Sequence, residues 1–335
     1  MNLNLNLNPK NIIKKLLYTL LIAMAVPFLF GFLNFLHPLF DSFSHFRVHL
    51  LLMILPTMLL LAFFHEVKNM LIFFLFILLG IFYLYYINQP FKAQPITKNR
   101  THKLKHIQFN LLFSNKKIDK VISYLQESSA DVITLEEVTK AHQEALSSMI
   151  YEDYSLELSS KFPYVARKQG AYPYQIYCPF QSVGSVAILS KHPFNEEQSV
   201  CLKYQGLLWQ QILLDKKPIN IVAIHTYWPY PYTQPEQIEQ IKPIFKHIKG
   251  STLIAGDFNA VAWSHTLKEI EKASHTKVVE GLRWTIELKK QLPLIPHFKL
   301  SLDHVLLSKE FQVKSIFVDK ELGSDHLPVV SEIWY

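Results

Sequence analysis

The chain contains little glycine, little cysteine and few charged residues for its length. It has nine glycines and two cysteines among 335 residues. Two cysteines, Cys178 and Cys201, are too few for a disulfide-rich miniprotein, and no closely spaced cluster of Cys and His predicts a zinc site. Charged residues make up 18% of the chain and hydrophobic residues 50%. This composition excludes an intrinsically disordered protein, because the chain can bury ample apolar surface.

The positive charge is confined to the first third of the sequence. The formal net charge is +7, which taken alone would suggest nucleic acid or an anionic membrane as a partner. Residues 1–103 hold nine of the 34 Lys and Arg residues and two of the 27 Asp and Glu residues, so residues 104–335 hold 25 of each sign. The excess therefore belongs to the N-terminal segment and gives no support to nucleic-acid binding by the remainder.

Three uncharged apolar runs predict that residues 1–90 form a membrane anchor. The runs cover residues 16–36, 48–64 and 70–87. A transmembrane helix needs roughly 17–25 predominantly apolar residues. The runs also lack the polar face that a core helix of a soluble domain would show. We therefore predict three transmembrane helices, with the lipid bilayer as their partner.

The first apolar run could also be a signal peptide, and the anchor could have either of two orientations in the membrane. Lys14 and Lys15 precede an apolar stretch with small residues, which is also typical of a signal peptide. We favour an uncleaved helix because the run continues to residue 36. The lysines favour a cytoplasmic N-terminus, and three crossings then put the C-terminal part outside the cytoplasm. Basic residues within 92–105 favour the opposite orientation. We expect the outward one, with residues 91–104 as a basic juxtamembrane linker near lipid headgroups.

Residues 105–335 alternate between predicted strands and helices. A stripe of Ile118, Val121, Ile122 and Leu125 has the spacing of an amphipathic helix. Short apolar strands are predicted near residues 107–112, 132–135, 185–189, 219–224, 252–255, 302–307 and 329–334. The segment is long enough for one sizeable domain. We predict a mixed α/β fold with layered sheets.

Polar residues recur where the predicted strands end. They are Asn110, Glu136, Glu137, His225, Asp257, Asn259, Asp325 and His326. Any one of them is most simply explained as a turn residue or a helix cap. Asp303 is different, because it lies inside an apolar strand and a carboxylate there is costly to bury unpaired. We expect a histidine or a metal-linked network as its partner.

As a set, these side chains suit the hydrolysis of a phosphate ester. Hard oxygen ligands of the kind that Mg²⁺ or Mn²⁺ prefers are present in Glu137, Asp257, Asp325, Asn110 and Asn259. His225 and His326 can donate to a phosphoryl oxygen or exchange a proton near neutral pH. A metal would neutralise developing charge while an activated water attacks in line. The sequence therefore predicts a metal-dependent hydrolase with Mg²⁺ or Mn²⁺ as cofactor.

Seven sequence blocks resemble the endonuclease/exonuclease/phosphatase (DNase-I-like) superfamily. They are QFNLLFSN (108–115), ADVITLEEV (130–138), GSVAILSKHPF (184–194), IVAIHTYWP (221–229), LIAGDFNAV (253–261), LDHVLLS (302–308) and GSDHLPVV (323–330). Any one block is weak, but all seven occur in the family's order and cover most of residues 105–335. The layout with N-terminal spans is similar to that of membrane-anchored bacterial members, which implies a bacterial inner membrane.

The resemblance implies a fold and a role for each candidate residue. The fold would be a four-layered α/β sandwich preceded by the three transmembrane helices. Glu137, Asn110 and Asp325 would hold the metal. The remaining roles are catalytic: Asp257 would position or deprotonate the attacking water, Asn259 would orient it, His326 would contact the scissile phosphate with Asp303 fixing its tautomer, and His225 would bind the phosphate from the other side.

Two positions depart from the family's pattern. Glu136 stands where glutamine is common, which is tolerable if its side chain faces away from Glu137, since alternate residues of a strand point to opposite faces. Leu327 replaces a basic residue after His326 and removes one potential phosphate contact. Neither change affects a primary position, so the residue set is complete.

The substrate class stays open at the level of sequence. Two aromatic clusters could stack nucleic-acid bases, rest on a lipid interface or simply pack the loops. They comprise Tyr164, Tyr172, Tyr174, Tyr177 and Phe180, and the run Tyr227, Trp228, Tyr230 and Tyr232. We predict a phosphodiesterase, with an endonuclease as one form of it. The alternatives are a sphingomyelinase-like lipid phosphodiesterase or phosphatase, and a catalytically silent membrane-tethered binding module. No protein partner can be inferred.

Overall fold

The computed structural model describes residues 8–64, 67–93, 95–97, 100–156, 164–288 and 298–335. The chain divides into two compact units. The first comprises Met1–Pro90 with the short segments Pro229–Pro231 and Trp263–His265, and the second comprises the rest of the chain. This division falls at the predicted boundary between the anchor and the linker. Each unit is described separately below.

The first unit is helical over most of its described length. Its helices are α1 Pro9–Phe30, α2 Pro38–Ser44, α3 Arg47–Ala62 and α4 Val67–Ile87, with a 3-10 turn at Gly31–Leu33. Asn8 caps the start of α1 by accepting a hydrogen bond from the backbone of Lys10. Met24 of α1 and the α3 residues Leu51 and Ile54 form a small apolar cluster.

The membrane prediction is supported for one helix. Among the described residues, Pro9–Leu33 is long and apolar enough, by length and composition, to cross a membrane. The second predicted run lies in α3, which together with α2 qualifies only as a pair bent by 65°. In the third run, the described apolar segment Leu71–Ile87 of α4 falls short of the length required. Three spans therefore remain a prediction.

The second unit contains strands and helices in the alternation predicted from the sequence. Its helices are α5 Ile118–Ser128, α6 Lys140–Leu146, α7 Gln234–Phe245 and α8 His265–Ser274. The strands are β1 Lys103–Asn110, β2 Val132–Val138, β3 Tyr151–Leu156, β4 Tyr164–Gln169, β5 Tyr174–Pro179, β6 Ser185–Ser190, β7 Phe194–Leu202, β8 Leu207–Leu214, β9 Lys217–His225, β10 Thr252–Asp257, β11 Lys277–Val278, β12 Ile286–Glu287, β13 Lys299–Leu300, β14 Asp303–Leu307, β15 Gln312–Val318 and β16 Val329–Trp334.

Two six-stranded mixed sheets form the body of this unit. The first sheet has the order β15-β16-β1-β2-β6-β5, and the second has the order β11-β14-β10-β9-β8-β7. Within them β1 and β2 run parallel, as do β9 and β10, while the remaining pairs are antiparallel. Short two-stranded pairs, β3 with β4 and β12 with β13, complete the strands.

The apolar residues fall into three layers. Residues from both sheets, such as Val186 and Ile221, share one buried cluster between the sheets. A second cluster joins the first sheet to α5, and a third joins the second sheet to α7 and α8. A helix layer therefore covers the outer face of each sheet, as the amphipathic stripes require. The predicted mixed α/β architecture of packed sheets between helices is confirmed.

A disulfide crosses between the two sheets. Cys178 at the end of β5 is bonded to Cys201 in β7, 23 positions further along the chain. The sequence alone could not establish this pairing. The bond joins the outermost strand of one sheet to the outermost strand of the other.

The predicted linker contacts the domain that it precedes. Gln312 of β15 donates from Nε2 to the backbone oxygen of Pro95 and accepts from the backbone N–H of Thr97. Strand β1 begins at Lys103, two positions before the predicted start of the catalytic domain. Part of the segment expected near lipid headgroups is thus hydrogen-bonded to β15.

Candidate active site

The candidate residues are brought together by the ends of neighbouring strands. Asn110 ends β1, His225 ends β9 and Asp257 ends β10, while Asp303 begins β14. In the register of the second sheet, Asp257 pairs with both His225 and Asp303. Strands β9 and β10 approach closely here, because a Cβ on Gly256 would collide with the carbonyl oxygen of Ile224.

An irregularity in β2 presents Glu137 to this group. The pairing of β2 with β6 shifts between Leu135 and Val138, and Glu137 has a φ of 56°. A positive φ is uncommon for a residue with a side chain and tends to occur at functional sites. Glu137 Oε2 accepts from the backbone N–H of Phe113 at 2.8 Å.

Asn110 connects Glu137 to Asp257. Its Nδ2 lies 3.2 Å from Glu137 Oε1 and 3.0 Å from Asp257 Oδ2. Its Oδ1 accepts from the backbone N–H of Leu112 at 3.0 Å. One buried amide therefore holds two carboxylates, from different sheets, close to each other.

Two histidines flank Asp257. His326 Nε2 lies 3.6 Å and His225 Nε2 lies 3.5 Å from the same Asp257 oxygen, Oδ2. The other ring nitrogen of His326, Nδ1, lies 2.8 Å from Asp303 Oδ2. All four side chains are buried. The structure thus gives Asp303 the histidine partner that its burial demanded.

The charges in this group support one another. Burial alone would lower the pKa of His326, but the negative charges of Asp303 and Asp257 outweigh it and raise the pKa to about 10. Burial alone would raise the pKa of Asp257, but the charge of His326 and the hydrogen bond from His225 lower it to about 2. The negative charges thus favour the protonated form of His326, and His326 in turn favours the ionised form of Asp257.

Asn259 fixes Asp257 from the opposite side. Its backbone N–H donates to Asp257 Oδ1 at 2.9 Å, and its Nδ2 donates to the backbone oxygen of Thr226 at 2.8 Å. Like Glu137, it has a positive φ, 44°. Both oxygens of Asp257 are consequently engaged, and its orientation is set by β10 and the loop that follows.

One predicted metal ligand has an oxygen to spare. Asp325 carries a buried Oδ1 that has no hydrogen-bond partner among the described residues. With Glu137 and Asn110 it stays a predicted ligand of Mg²⁺ or Mn²⁺, although Asn110 turns Nδ2 and not Oδ1 towards Glu137 and Asp257.

A second group of possible metal-ligating side chains lies close together. Ligand atoms of Asp257, Asp303 and His326 all lie within 4.8 Å of one another. These three residues could hold a metal ion, in addition to the predicted ligands Glu137, Asn110 and Asp325.

Four contacts around the site were not predicted from the sequence. Ser324 Oγ donates to the backbone oxygen of Asn110 at 2.8 Å and accepts from the backbone N–H of His326 at 3.0 Å. Glu136 is fully buried and lies next to Gln108, which also contacts Asp303. A glutamine inside the apolar strand Ile107–Phe109 was the available signal for this contact.

An aromatic cavity of about 300 Å³ adjoins the site. Its lining includes Glu137, His225 and Asn259, and also Phe180, Tyr227, Trp228 and Tyr232. Phe180 stacks on Tyr227 with ring centroids 5.2 Å apart. Among the described residues, no Lys or Arg lines this cavity.

The aromatic residues of the first predicted cluster, residues 164–180, differ in burial. Tyr172 is fully buried in the core, where its hydroxyl donates to the backbone oxygen of Leu125. Tyr174 and Tyr177 lie half-buried on β5. The side chain of Tyr164 lies outside the described residues. Among the described side chains of this cluster, only Phe180 lines the cavity. Sequence composition does not reveal which face of a strand a residue occupies.

Comparison with known proteins gives a family match and several similar folds. The family model described as the endonuclease/exonuclease/phosphatase family matches residues 107–326. No curated protein matches the chain.

Among solved structures, a family protein from Leptotrichia buccalis has a TM-score of 0.50 at 16% identity, covering 69% of this chain and 100% of that one. A family protein from Bacteroides thetaiotaomicron has a TM-score of 0.50 at 14% identity, covering 70% and 98%. One from Beutenbergia cavernae has a TM-score of 0.50 at 16% identity, covering 70% and 72%. These likenesses are in fold.

Proposed function

This chain belongs to the endonuclease/exonuclease/phosphatase family, and we propose that it is a membrane-anchored phosphodiesterase that uses Mg²⁺ or Mn²⁺. The fold of this family generally serves the hydrolysis of phosphate esters. The observation that carries the proposal is the convergence on Asp257 Oδ2 of Asn110 Nδ2, His225 Nε2 and His326 Nε2, at 3.0, 3.5 and 3.6 Å. A buried carboxylate flanked by two imidazoles suits a water and a phosphate held side by side.

The protein side chains divide the work of hydrolysis. Asp257 is ionised at neutral pH and accepts a hydrogen bond from the attacking water, which sets the direction of attack. His326, kept charged by Asp303, donates to a phosphoryl oxygen, and His225 donates from the other side. Asn259 holds Asp257 in place. A divalent cation held by Glu137, Asn110 and Asp325 would supply Lewis-acid stabilisation of the charge that develops on phosphate.

The mechanism is tested with a substrate that carries no recognition elements. The full-length chain in detergent should hydrolyse bis(p-nitrophenyl) phosphate with Mg²⁺ or Mn²⁺, and EDTA should stop the reaction. Asp257→Asn should lower kcat by at least about 100-fold, since positioned acid–base groups contribute roughly 10²–10⁴. Asp215→Asn, which alters an exposed aspartate that pairs with His102, is the matched control and should retain full activity. Turnover that persists in both EDTA and Asp257→Asn would remove the mechanism.

The cavity favours a lipid phosphodiester as a second, more specific candidate. Nucleic acids carry further phosphates next to the scissile one, and proteins bind these with Lys and Arg. The described lining of the cavity beside the site has neither, and residues 104–335 carry no net charge. Trp228 and Tyr232, 42% and 63% exposed, are residues favoured at a membrane interface. Cleavage of phospholipid vesicles without nicking of supercoiled plasmid would support a lipid substrate, and the reverse result would support an endonuclease.

We also propose that residues 1–90 anchor the catalytic domain outside the cytoplasm, with three spans at a bacterial inner membrane. Support comes from the helix Pro9–Leu33 and from the Cys178–Cys201 disulfide, since such bonds persist in oxidising compartments. A C-terminal alkaline phosphatase fusion should be active and a fluorescent protein fusion dark. The opposite pair of results would place the domain in the cytoplasm.

A further inference from the structure

A glutamine and a glutamate that have no part in the proposed mechanism lie behind the Asp303–His326 pair. Gln108 of β1 and Glu136 of β2 are both fully buried. Gln108 Nε2 lies 2.7 Å from Glu136 Oε2 and 2.7 Å from Asp303 Oδ1. One amide nitrogen of the first sheet thus bridges an acidic side chain of its own sheet and an acidic side chain of the second.

The two acids determine how the amide is oriented. A glutamine side chain has one donating end, with two N–H groups, and one accepting end. Asp303 Oδ1 and Glu136 Oε2 lie on the same side, and each can take one N–H of Nε2. With the amide reversed, its oxygen would face the Asp303 carboxylate and that hydrogen bond would be lost. The donating end of Gln108 is therefore turned towards Asp303, where Glu136 Oε2 also contacts it.

Both oxygens of the Asp303 carboxylate are consequently engaged. Oδ2 is bound by His326 Nδ1 at 2.8 Å and Oδ1 by Gln108 at 2.7 Å. The backbone N–H of Asp303 donates to Thr285 Oγ1 at 3.1 Å. With its backbone and both oxygens held, the plane of the carboxylate is fixed, and that plane sets the direction of the imidazole it binds.

We propose that Gln108 is a positioning residue for His326. It holds Asp303 in the orientation that directs the His326 ring towards Asp257, and Glu136 holds Gln108. Without the amide, Asp303 Oδ1 would lose the Nε2–H donor that holds it at 2.7 Å, and the carboxylate could rotate away from its direction towards His326. The proposal rests on the proposed function, because it assigns the effect to the hydrolytic step.

The first test separates catalysis from binding. Gln108→Glu keeps the shape of the side chain and removes the donor, while Gln108→Leu removes the polar group. With bis(p-nitrophenyl) phosphate and the full-length chain, each should lower kcat by about 10- to 100-fold, as small misplacements of catalytic groups do. KM should change little in both variants, because Gln108 does not contact the substrate.

The matched control is a second buried glutamine. Gln210 of β8 is 1% exposed, and its Nε2 also donates to two oxygens, those of Asn195 and Gln211, at 2.9 Å each. Gln210→Leu should lower the melting temperature about as much as Gln108→Leu and leave kcat intact. Equal losses of kcat in the two variants would show that Gln108 is merely structural and would overturn the proposal.

The second test asks whether Gln108 acts through Asp303. In the wild-type background Gln108→Leu should reduce kcat. In an Asp303→Asn background the same substitution should have almost no further effect, because the carboxylate it positions is gone. Multiplicative losses in the double variant would mean that the two residues act independently, contrary to the proposal.

The third test needs no catalytic activity. In the chain labelled with ¹⁵N-histidine, the Nδ1–H signal of His326 is identified by its absence in His326→Gln. It should be present and protected from exchange in the wild type and in Gln210→Leu, and shifted or rapidly exchanging in Gln108→Leu. An unchanged signal would overturn the proposal. If the wild type hydrolyses no diester, the proposed function fails, and this measurement still decides the role of Gln108.

Discussion

Breaking the Cys178–Cys201 disulfide should destabilise the catalytic domain by a predictable amount. The bond closes a loop across 23 positions and ties the outer strand of one sheet to the outer strand of the other. A cross-link stabilises a protein mainly by restricting its unfolded chain, and a loop of this length corresponds to about 3 kcal/mol. For a domain of 150–250 residues each kcal/mol shifts the melting temperature by roughly 2–4 °C, so the loss should be about 6–12 °C.

The measurement compares a double variant with chemical reduction. Near-UV circular dichroism of the full-length chain in detergent gives the melting temperature of wild type and of Cys178→Ala/Cys201→Ala, each with and without dithiothreitol. Reduction should lower the melting temperature of the wild type to about that of the double variant, and it should leave the melting temperature of the variant unchanged. A wild type that melts at the same temperature with and without reductant, and matches the variant, would refute the reasoning about the loop.

Three further predictions concern the site, the core and the cavity. His326→Gln should lower kcat by roughly 10²–10⁴-fold on bis(p-nitrophenyl) phosphate; retained turnover would remove His326 from the mechanism. Burial lowers the pKa of His106 from 6.5 to about 3, so below about pH 6.5 the unfolded chain takes up a proton that the folded domain does not. Urea titrations should show a free energy of unfolding that falls as the pH drops from 6.5 towards 3, and His106→Gln should flatten this slope. Trp228→Leu should raise KM for phospholipid vesicles several-fold and leave kcat on bis(p-nitrophenyl) phosphate unchanged, since loss of exposed aromatic area weakens binding to the membrane interface. Equal KM values for the wild type and the variant would show that the aromatic residues of the cavity do not bind the membrane.

The sequence predicted the positions of strand ends well, because apolar runs and the polar residues after them are local signals. Strand β9 ends at His225 and β10 at Asp257, as expected, and both meet at one edge of a sheet. The expectation that Asp303 needs a partner followed from the cost of burying a carboxylate. The structure supplies that partner in His326.

Features that depend on how distant strands align were out of reach. The bulge that turns Glu137 towards the site arises from the pairing of β2 with β6, which no local pattern specifies. The Gln108 bridge joins residues of both sheets. Tyr172 belongs to an aromatic cluster in the sequence but is a core residue in the structure, and composition does not report burial.

The place of the last strand has a consequence for how the domain is made. Strand β16 lies between β15 and β1 and pairs Trp334 with Lys103. The first strand to leave the ribosome therefore keeps one edge open until more than 200 further residues have been synthesised. Unpaired edges invite association with other chains, and contacts so distant in sequence form slowly. A nascent chain stalled before residue 329 would carry an incomplete first sheet, so quality control acting on such chains would meet an exposed β1 rather than a folded domain.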